Sequence, residues 1–471
     1  MMKRLDEKLV EYSAGDSYPF HMPGHKRNGK LPYPLPYGLD ITEIDGFDDL
    51  HHAEGILKEA QERAAEIYHA EESHFLVNGS TVGILSAILG TTKRGDKILV
   101  ARNCHKSVYH AIEMNELQPV YIYPEFLTEM HLNGEISAEE IERALREHEG
   151  IRAVMIVSPT YDGVVSDVRA IGEIVHRYEI PLIVDEAHGA HFGFGTIFPE
   201  NSNICGADIV IHSLHKTLPS MTQTAILHIN GERINRGRVR KYLHMLQSSS
   251  PSYVLMASID ACMDFLQTEG EKWFCEYESM LLAARERLSG LKHLKVIKTE
   301  QFDLSKIIIS TLNCNMTSGE LYRILLEKYH LQMEMKAESY VLAMTTVCDS
   351  EEGMKRLVEA LFSIDEELKE QNFDTVFTEE RFPEADVCMT SAEVERLPET
   401  DFEMRPWEDC EGWISAEYAY LYPPGIPLLA PGERINRAII AWLVHYREMG
   451  FSVEGSMTEG MLKVTGERNN E

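Results

Sequence analysis

The sequence predicts an α/β protein: a mostly parallel seven-stranded sheet with helices on both faces, followed by a smaller C-terminal α+β region. Three observations predict it. Seven short runs rich in Val and Ile recur between residues 70 and 230. Most of the gaps between them carry apolar residues at helical spacing. The chain has 471 residues, room for two to four domains at roughly 100–200 residues each.

The runs are "HFLV" (74–77), "KILVA" (97–101), "VYIY" (120–123), "AVMIV" (153–157), "PLIVD" (181–185), "DIVIHS" (208–213) and "TAILHI" (224–229). Each has the length of a buried strand. Between them lie "TVGILSAILGTT" (81–92), "HKSVYHAIEMN" (105–115), "SAEEIERALREH" (137–148) and "VRAIGEIVHRYE" (168–179). Parallel strands need crossovers of a dozen or more residues, and helices supply them.

Residues 1–50 read as an N-terminal arm, rich in Pro and Gly from 18 onward. A helix is expected from about 54 to 69, with Ile56, Ala60, Ala64 and Ile67 on one stripe. The large domain spans 51–290 and closes with 252–290, read as long helix. A small α+β domain follows at 291–370, carried by "LKVI", "KIIIST", the helical "SGELYRILLEKY" and "YVLAMTT". Residues 371–471 form a C-terminal segment. Its stretch 371–400 is acidic and reads as a linker, and the prolines of "AYLYPPGIPLLAPGE" (419–433) argue against a central strand or helix there.

The formal charge of −31 excludes a basic nucleic-acid footprint and attraction to anionic lipid. It keeps the protein soluble and tolerates cationic small molecules. The eight cysteines are scattered with no C-x-x-C pair, so neither a disulfide framework nor a zinc ribbon is expected. The first residues lack the apolar core of a signal peptide, and no run of 18 apolar residues exists. The expected setting is the reducing cytoplasm.

Ligands of open α/β sheets bind beyond the carboxyl ends of the strands. After the first run comes "NGST" (78–81), whose small residues open a helix and leave N–H groups for a phosphate. By itself this is also an ordinary N-cap. His105 follows the second run in "RNCHKS" (102–107), and "SPTYDG" (158–163) follows the fourth. The fifth ends in "VDEAHGAH" (184–191), and an Asp closing an apolar strand wants a cationic partner. His188 and His191 beside Asp185 and Glu186 lack H-E-x-x-H spacing and a third ligand, so no metal is expected. The sixth ends in "HSLHKTLPS" (212–220), which places Lys216 at the same edge.

Taken jointly, these features meet the needs of one cofactor, pyridoxal phosphate. Its phosphate wants a helix start, its ring a flat stacking partner, its pyridine nitrogen a carboxylate and its aldehyde a lysine amine. Ser80, His105, Asp185 and Lys216 occur in that order, with Ser213 and His215 near the phosphate.

The chain closely resembles the fold-type I, pyridoxal-phosphate-dependent ornithine/lysine/arginine decarboxylases in their short form. The resemblance rests on "HMPGHK" (21–26), "DDLHHAEGILKEAQ" (48–61), "NGST", "RNCHKS", "PTYDG", "VDEAHGAH", "HSLHK", "SSSPSYVLMASID" (248–260) and "YPPGIPLLAPGE" (422–433). It covers about 18–290 and 411–435; the stretch 371–410 matches the family pattern poorly. With "HMPGHK" beginning at residue 21, the receiver-like N-terminal domain of the long members is expected to be absent.

The resemblance implies that Lys216 holds the cofactor covalently and that Asp185 pairs with its ring nitrogen. It implies that His105 stacks on the ring and that Ser80, Thr81, Ser213 and His215 hold the phosphate, with His188 on the aldehyde side. It further implies a homodimer or larger homo-oligomer. The expected activity is decarboxylation of a basic amino acid, with arginine first, lysine second and ornithine third. Another fold-type I enzyme such as an aminotransferase, or a non-catalytic homologue, stays open at this point. Carboxylates for the substrate's distal cation are sought among Glu43, Asp45, Asp48, Asp49, Glu417 and Glu433.

Overall fold

Each of the seven apolar runs forms a strand: β1 (Glu72–Leu76), β2 (Lys97–Ala101), β3 (Gln118–Ile122), β4 (Ile151–Val157), β5 (Leu182–Asp185), β6 (Ile209–His212) and β7 (Ala225–Ile229). The structure is a computed structural model. It describes residues 3–15, 21–23, 25–27, 30, 35–371, 383–384, 386–421 and 425–466. Gly24 of "HMPGHK" and the "YPP" of "YPPG" lie outside them. The described chain divides into two compact units: 1–91 with 181–280 and 345–349, and 92–180 with 281–344 and 350–471.

The seven strands belong to one mostly parallel sheet, in the order β1-β7-β6-β5 within the first unit and β4-β2-β3 within the second. Strand β7 is the reversed one, antiparallel to both β1 and β6. Residues 213–224 link β6 to β7, and an antiparallel neighbour needs no long crossover. Pro119 is tolerated in β3 because that strand sits at the sheet edge.

The helices up to residue 290 are α1 (Leu5–Ala14), α2 (Ile56–Ile67), α3 (Gly79–Thr91), α4 (Lys106–Met114), α5 (Ala138–Glu147), α6 (Val168–Arg177), α7 (Leu214–Thr217), α8 (Arg236–Leu246), α9 (Tyr253–Thr268) and α10 (Gly270–Leu288). Local chemistry sets their starts. Ser137, Asp167 and Ser252 each accept a backbone N–H of the first turn of the helix that follows. In α2, Ile56, Ala60 and Ala64 are buried as the stripe predicts. Helix α3 lies close to its neighbours because Gly83 and Gly90 carry no Cβ. A Cβ on Gly83 would meet Ile211 at 3.1 Å, and one on Gly90 would meet the Val239 side chain at 2.6 Å.

Three expectations are corrected. The stretch 252–290 is two helices, α9 and α10, which part at Glu269 just before Gly270, a residue of poor helix propensity. The acidic stretch is more than a linker where it is described. Asp386–Val387 is a strand (β12 below), and Ser391–Glu395 is a helix with a Thr390–Glu393 capping box. The proline-rich segment does contain a central strand, Ala419–Leu421, because its prolines lie outside those three residues. Pro427 falls in the neighbouring edge strand, opposite Tyr420.

The second unit also carries an antiparallel sheet of β8 (Lys295–Ile297), β9 (Lys306–Ser310), β10 (Met335–Lys336) and β11 (Tyr340–Met344), in the order β8-β9-β11-β10. Beyond residue 383 come β12 (Asp386–Val387), β13 (Phe402–Pro406), β14 (Ile414–Ser415), β15 (Ala419–Leu421), β16 (Ile426–Leu429), β17 (Glu433–Arg434), β18 (Val453–Glu454) and β19 (Met461–Thr465). They form sheets β12-β17-β14-β19-β13 and β16-β15-β18 around a core that includes Trp407, Leu428, Ile439 and Leu462. Among the described residues no helix is long and apolar enough to cross a membrane.

Candidate active site

In the first unit, register sets the site. Leu76 pairs with Ala225, Ile226 with His212, and Ile211 with Asp185, so the carboxyl ends of β1, β6 and β5 share one edge. The loops that leave these three strands meet there. Gly79, at φ +72°, takes the left-handed backbone that turns β1 into α3. Ser80 Oγ lies 2.5 Å from Ser213 Oγ, bringing the first turn of α3 against the N-cap of α7. Thr81 is exposed on the first turn of α3, whose N–H groups lack intrahelical acceptors.

Lys216 sits on the four-residue α7, and its Nζ is 2.9 Å from His188 Nε2. Asp185 is 3% exposed, with Oδ1 accepting the Ala187 N–H at 3.1 Å. Burial pushes its carboxyl above the ordinary range, and the Lys216 ammonium opposes that. A buried carboxyl in that state binds a further cation favourably. His215 Nδ1 donates to the Thr224 carbonyl at 2.8 Å, which fixes its tautomer, and burial holds the ring below its ordinary pKa. Glu186 does not join this group. It accepts from Ser202 N–H and from His212 Nε2, the latter at 2.7 Å.

His105 belongs to the second unit, where it caps α4. Its Nδ1 accepts the Ser107 N–H at 3.2 Å and lies 2.8 Å from Ser107 Oγ. The C-terminal strands grip this helix: the Lys106 N–H donates to the Gly425 carbonyl at 3.1 Å, and Tyr418 OH to Glu113 at 2.7 Å. Asp162 of "SPTYDG" is half-buried and accepts from Tyr340 OH.

The acidic candidates divide sharply. Asp48 accepts the backbone N–H groups of Asp49, Glu54, Gly55 and Leu57. Burial alone would raise its carboxyl, but those four donors outweigh it and hold it low. Glu417 accepts from Met457 N at 3.3 Å and Lys463 N at 3.1 Å. Glu433 and Arg102 form an ion pair at 3.0 Å with both side chains 1% exposed. Arg102 also donates to Tyr109 OH at 2.6 Å and the Leu428 carbonyl at 3.2 Å. Asp49 accepts the His51 N–H at 2.8 Å, whereas Glu43 and Asp45 are exposed. Sequence reading passed over Arg102, whose partner is 331 residues away.

Glu433→Ala should therefore act on stability. It strands a buried guanidinium and is expected to cost about 3–5 kcal/mol of unfolding free energy, read by urea denaturation. A loss under about 1 kcal/mol would show that the pair is not the anchor its burial implies.

A model of the Orn/Lys/Arg decarboxylase major domain matches residues 4–348, and one of the family's C-terminal domain matches 370–460. The poor match expected for 371–410 is thus corrected; that stretch lies inside the family's C-terminal domain. The chain is 37% identical to YaaO, an uncharacterised protein of Bacillus subtilis strain 168, over 96% of each chain. It is 32% identical to an arginine decarboxylase of the same organism, over 98% of this chain and 97% of that one. The fold is similar to a lysine decarboxylase from Francisella novicida, with a TM-score of 0.83 at 19% identity, over 98% of this chain and 80% of that one. On two family models that together span nearly its whole length, the chain belongs to the ornithine/lysine/arginine decarboxylases, pyridoxal-phosphate enzymes that remove the α-carboxylate of a basic amino acid.

Proposed function

We propose that this enzyme decarboxylates arginine to agmatine, with lysine and ornithine as poorer substrates. The observation that carries this is the full-length likeness to an arginine decarboxylase. The cofactor roles are part of the proposal. Lys216 is the covalent attachment point. Asp185 keeps a proton on the ring nitrogen, and His105 stacks on the ring. Ser80, Thr81, Ser213 and His215 bind the phosphate. The donor set fits: two hydroxyls 2.5 Å apart at a helix start, a buried carboxylate and an amine.

Bound pyridoxal phosphate supplies an electron sink conjugated with the substrate's α-carbon. The chain supplies the rest. Lys216 Nζ and His188 Nε2, 2.9 Å apart, hold a proton between two basic nitrogens. That pair is placed to return the one proton that each decarboxylation consumes. The buried Asp185 favours positive charge beside it through the whole turnover. We also propose a homodimer or larger assembly, read by light scattering of the purified protein.

A guanidinium takes a bidentate carboxylate, which an ammonium cannot match. With Asp48, Glu417 and Glu433 committed to the chain's own groups, Glu43 and Asp45 of the arm are the proposed partners. kcat/KM for arginine should exceed that for lysine by at least tenfold, about 1.4 kcal/mol. Glu43→Gln or Asp45→Asn should shrink that ratio. Cadaverine as the main product from an equimolar mixture of the three amino acids overturns arginine as the substrate.

A further inference from the structure

On the sheet face opposite Asp185, a polar chain crosses the four strands of the first unit. Side chains alternate along a strand, so Glu186 points away from Asp185. Register then aligns four residues: Ser73 is opposite His228, His212 is diagonal to it, and Glu186 follows β5 beside His212. Ser73 Oγ is 2.6 Å from His228 Nδ1, His228 Nε2 is 3.0 Å from His212 Nδ1, and His212 Nε2 is 2.7 Å from Glu186 Oε1. None of the four is more than 4% exposed. The Tyr68 ring covers both imidazoles, with centroids 4.7 and 4.8 Å away, while its own hydroxyl is committed to the Ala190 carbonyl at 2.7 Å.

With both rings neutral, only one proton arrangement satisfies every contact. The Glu186 carboxylate only accepts, so His212 Nε2 carries hydrogen and Nδ1 accepts. His228 Nε2 must then donate, its Nδ1 must accept, and Ser73 must give its hydroxyl proton. The chain has one direction, Ser73 to His228 to His212 to Glu186. A buried network with every member satisfied is rigid, because any rotation leaves a polar group stranded.

We propose that Ser73, His228, His212 and Glu186 are positioning residues for the cofactor site, a one-way hydrogen-bond relay that locks the strand ends presenting Asp185 and Ser213. The proposal rests on the cofactor roles assigned above. His212 precedes Ser213, and Glu186 follows Asp185, so each end of the His212–Glu186 bond is one peptide from a site residue. The charged and titratable groups within electrostatic reach of the relay are Asp185 at His212, His74 at His228, and Tyr68, whose ring packs on both imidazoles and feels the Glu186 charge. Burial, then His212 and His74, hold His228 well below the ordinary 6.5, so the folded state favours the neutral ring. That contribution to stability is present above 6.5 and is lost as the pH falls. Ser73, although buried, also lines a surface cleft of about 540 Å³ with Glu72, His74 and Gln247.

The test uses the holoenzyme and reads cofactor absorbance against pH together with kcat and KM. His228→Leu should lower kcat about tenfold at a KM within about twofold, and shift the absorbance midpoint by about half a pH unit or more. His228→Gln, which keeps a donor toward His212, should recover kcat to within about threefold of the parent. If His228→Leu does not fold, Ser73→Ala removes a single hydroxyl and should still move the midpoint. Equal losses in the Leu and Gln variants would mark packing alone and overturn the proposal, as would Ser73→Ala with an unmoved midpoint and kcat. Wild-type holoenzyme that releases CO₂ from none of the three amino acids would sink the function instead, while its absorbance titration still reads the relay.

Discussion

Lys216→Ala is expected to abolish the absorbance of covalently held cofactor and to lower turnover by about a thousandfold or more, the scale of losing a positioned amine and its proton-transfer role together. The fold should survive. Lys216 is half-buried on a four-residue helix, and alanine is the best helix former. Circular dichroism should therefore match the parent. Borohydride reduction of the parent, followed by peptide mapping, should find the cofactor on Lys216. A label on Lys106, which lies on α4 of the other unit, would mean that the site is assigned to the wrong strand ends.

Asp185→Asn carries the second-largest expected effect. The amide is isosteric and still accepts the Ala187 N–H, so the loop keeps its geometry. What disappears is negative charge in a site 3% exposed, where charge is worth several kcal/mol. Turnover should fall about a hundredfold, equivalent to about 2.7 kcal/mol of barrier. A loss below about fivefold would show that Asp185 does not face the developing charge. The two variants separate cleanly, because Asp185→Asn should retain covalent cofactor and Lys216→Ala should not.

The legible part of this protein is local. Seven Val- and Ile-rich runs became seven strands because burial on both faces selects such residues over a few positions. Ser80, Asp185, Ser213 and Lys216 could be picked out because each ends an apolar run or comes three residues after one, and the ends of parallel strands share an edge. The break at Glu269 was missed, although Gly270 marked it. The strand at Ala419–Leu421 was missed because the prolines around it dominated the reading.

The residues that only tertiary structure revealed share a different feature. Glu433 was a candidate partner for the substrate's distal cation until folding placed it against Arg102, 331 positions earlier, both 1% exposed. Asp48 became a helix cap, with four backbone donors, because of where the chain turns before α2. Ser73, Glu186, His212 and His228 were polar residues in or beside strands, and nothing in their spacing joined them. Their alignment depends on the register of β1, β7, β6 and β5, and a slip of one residue in any strand would send its member to the other face. By itself the sequence determined the seven strands of the large sheet, the helices between them and the residues at their ends, because periodicity and chain order act over a few residues. The tertiary structure decided which carboxylates are free and which polar groups meet, because pairing across hundreds of positions is set only when the strands take up their register and the charges between them lose water.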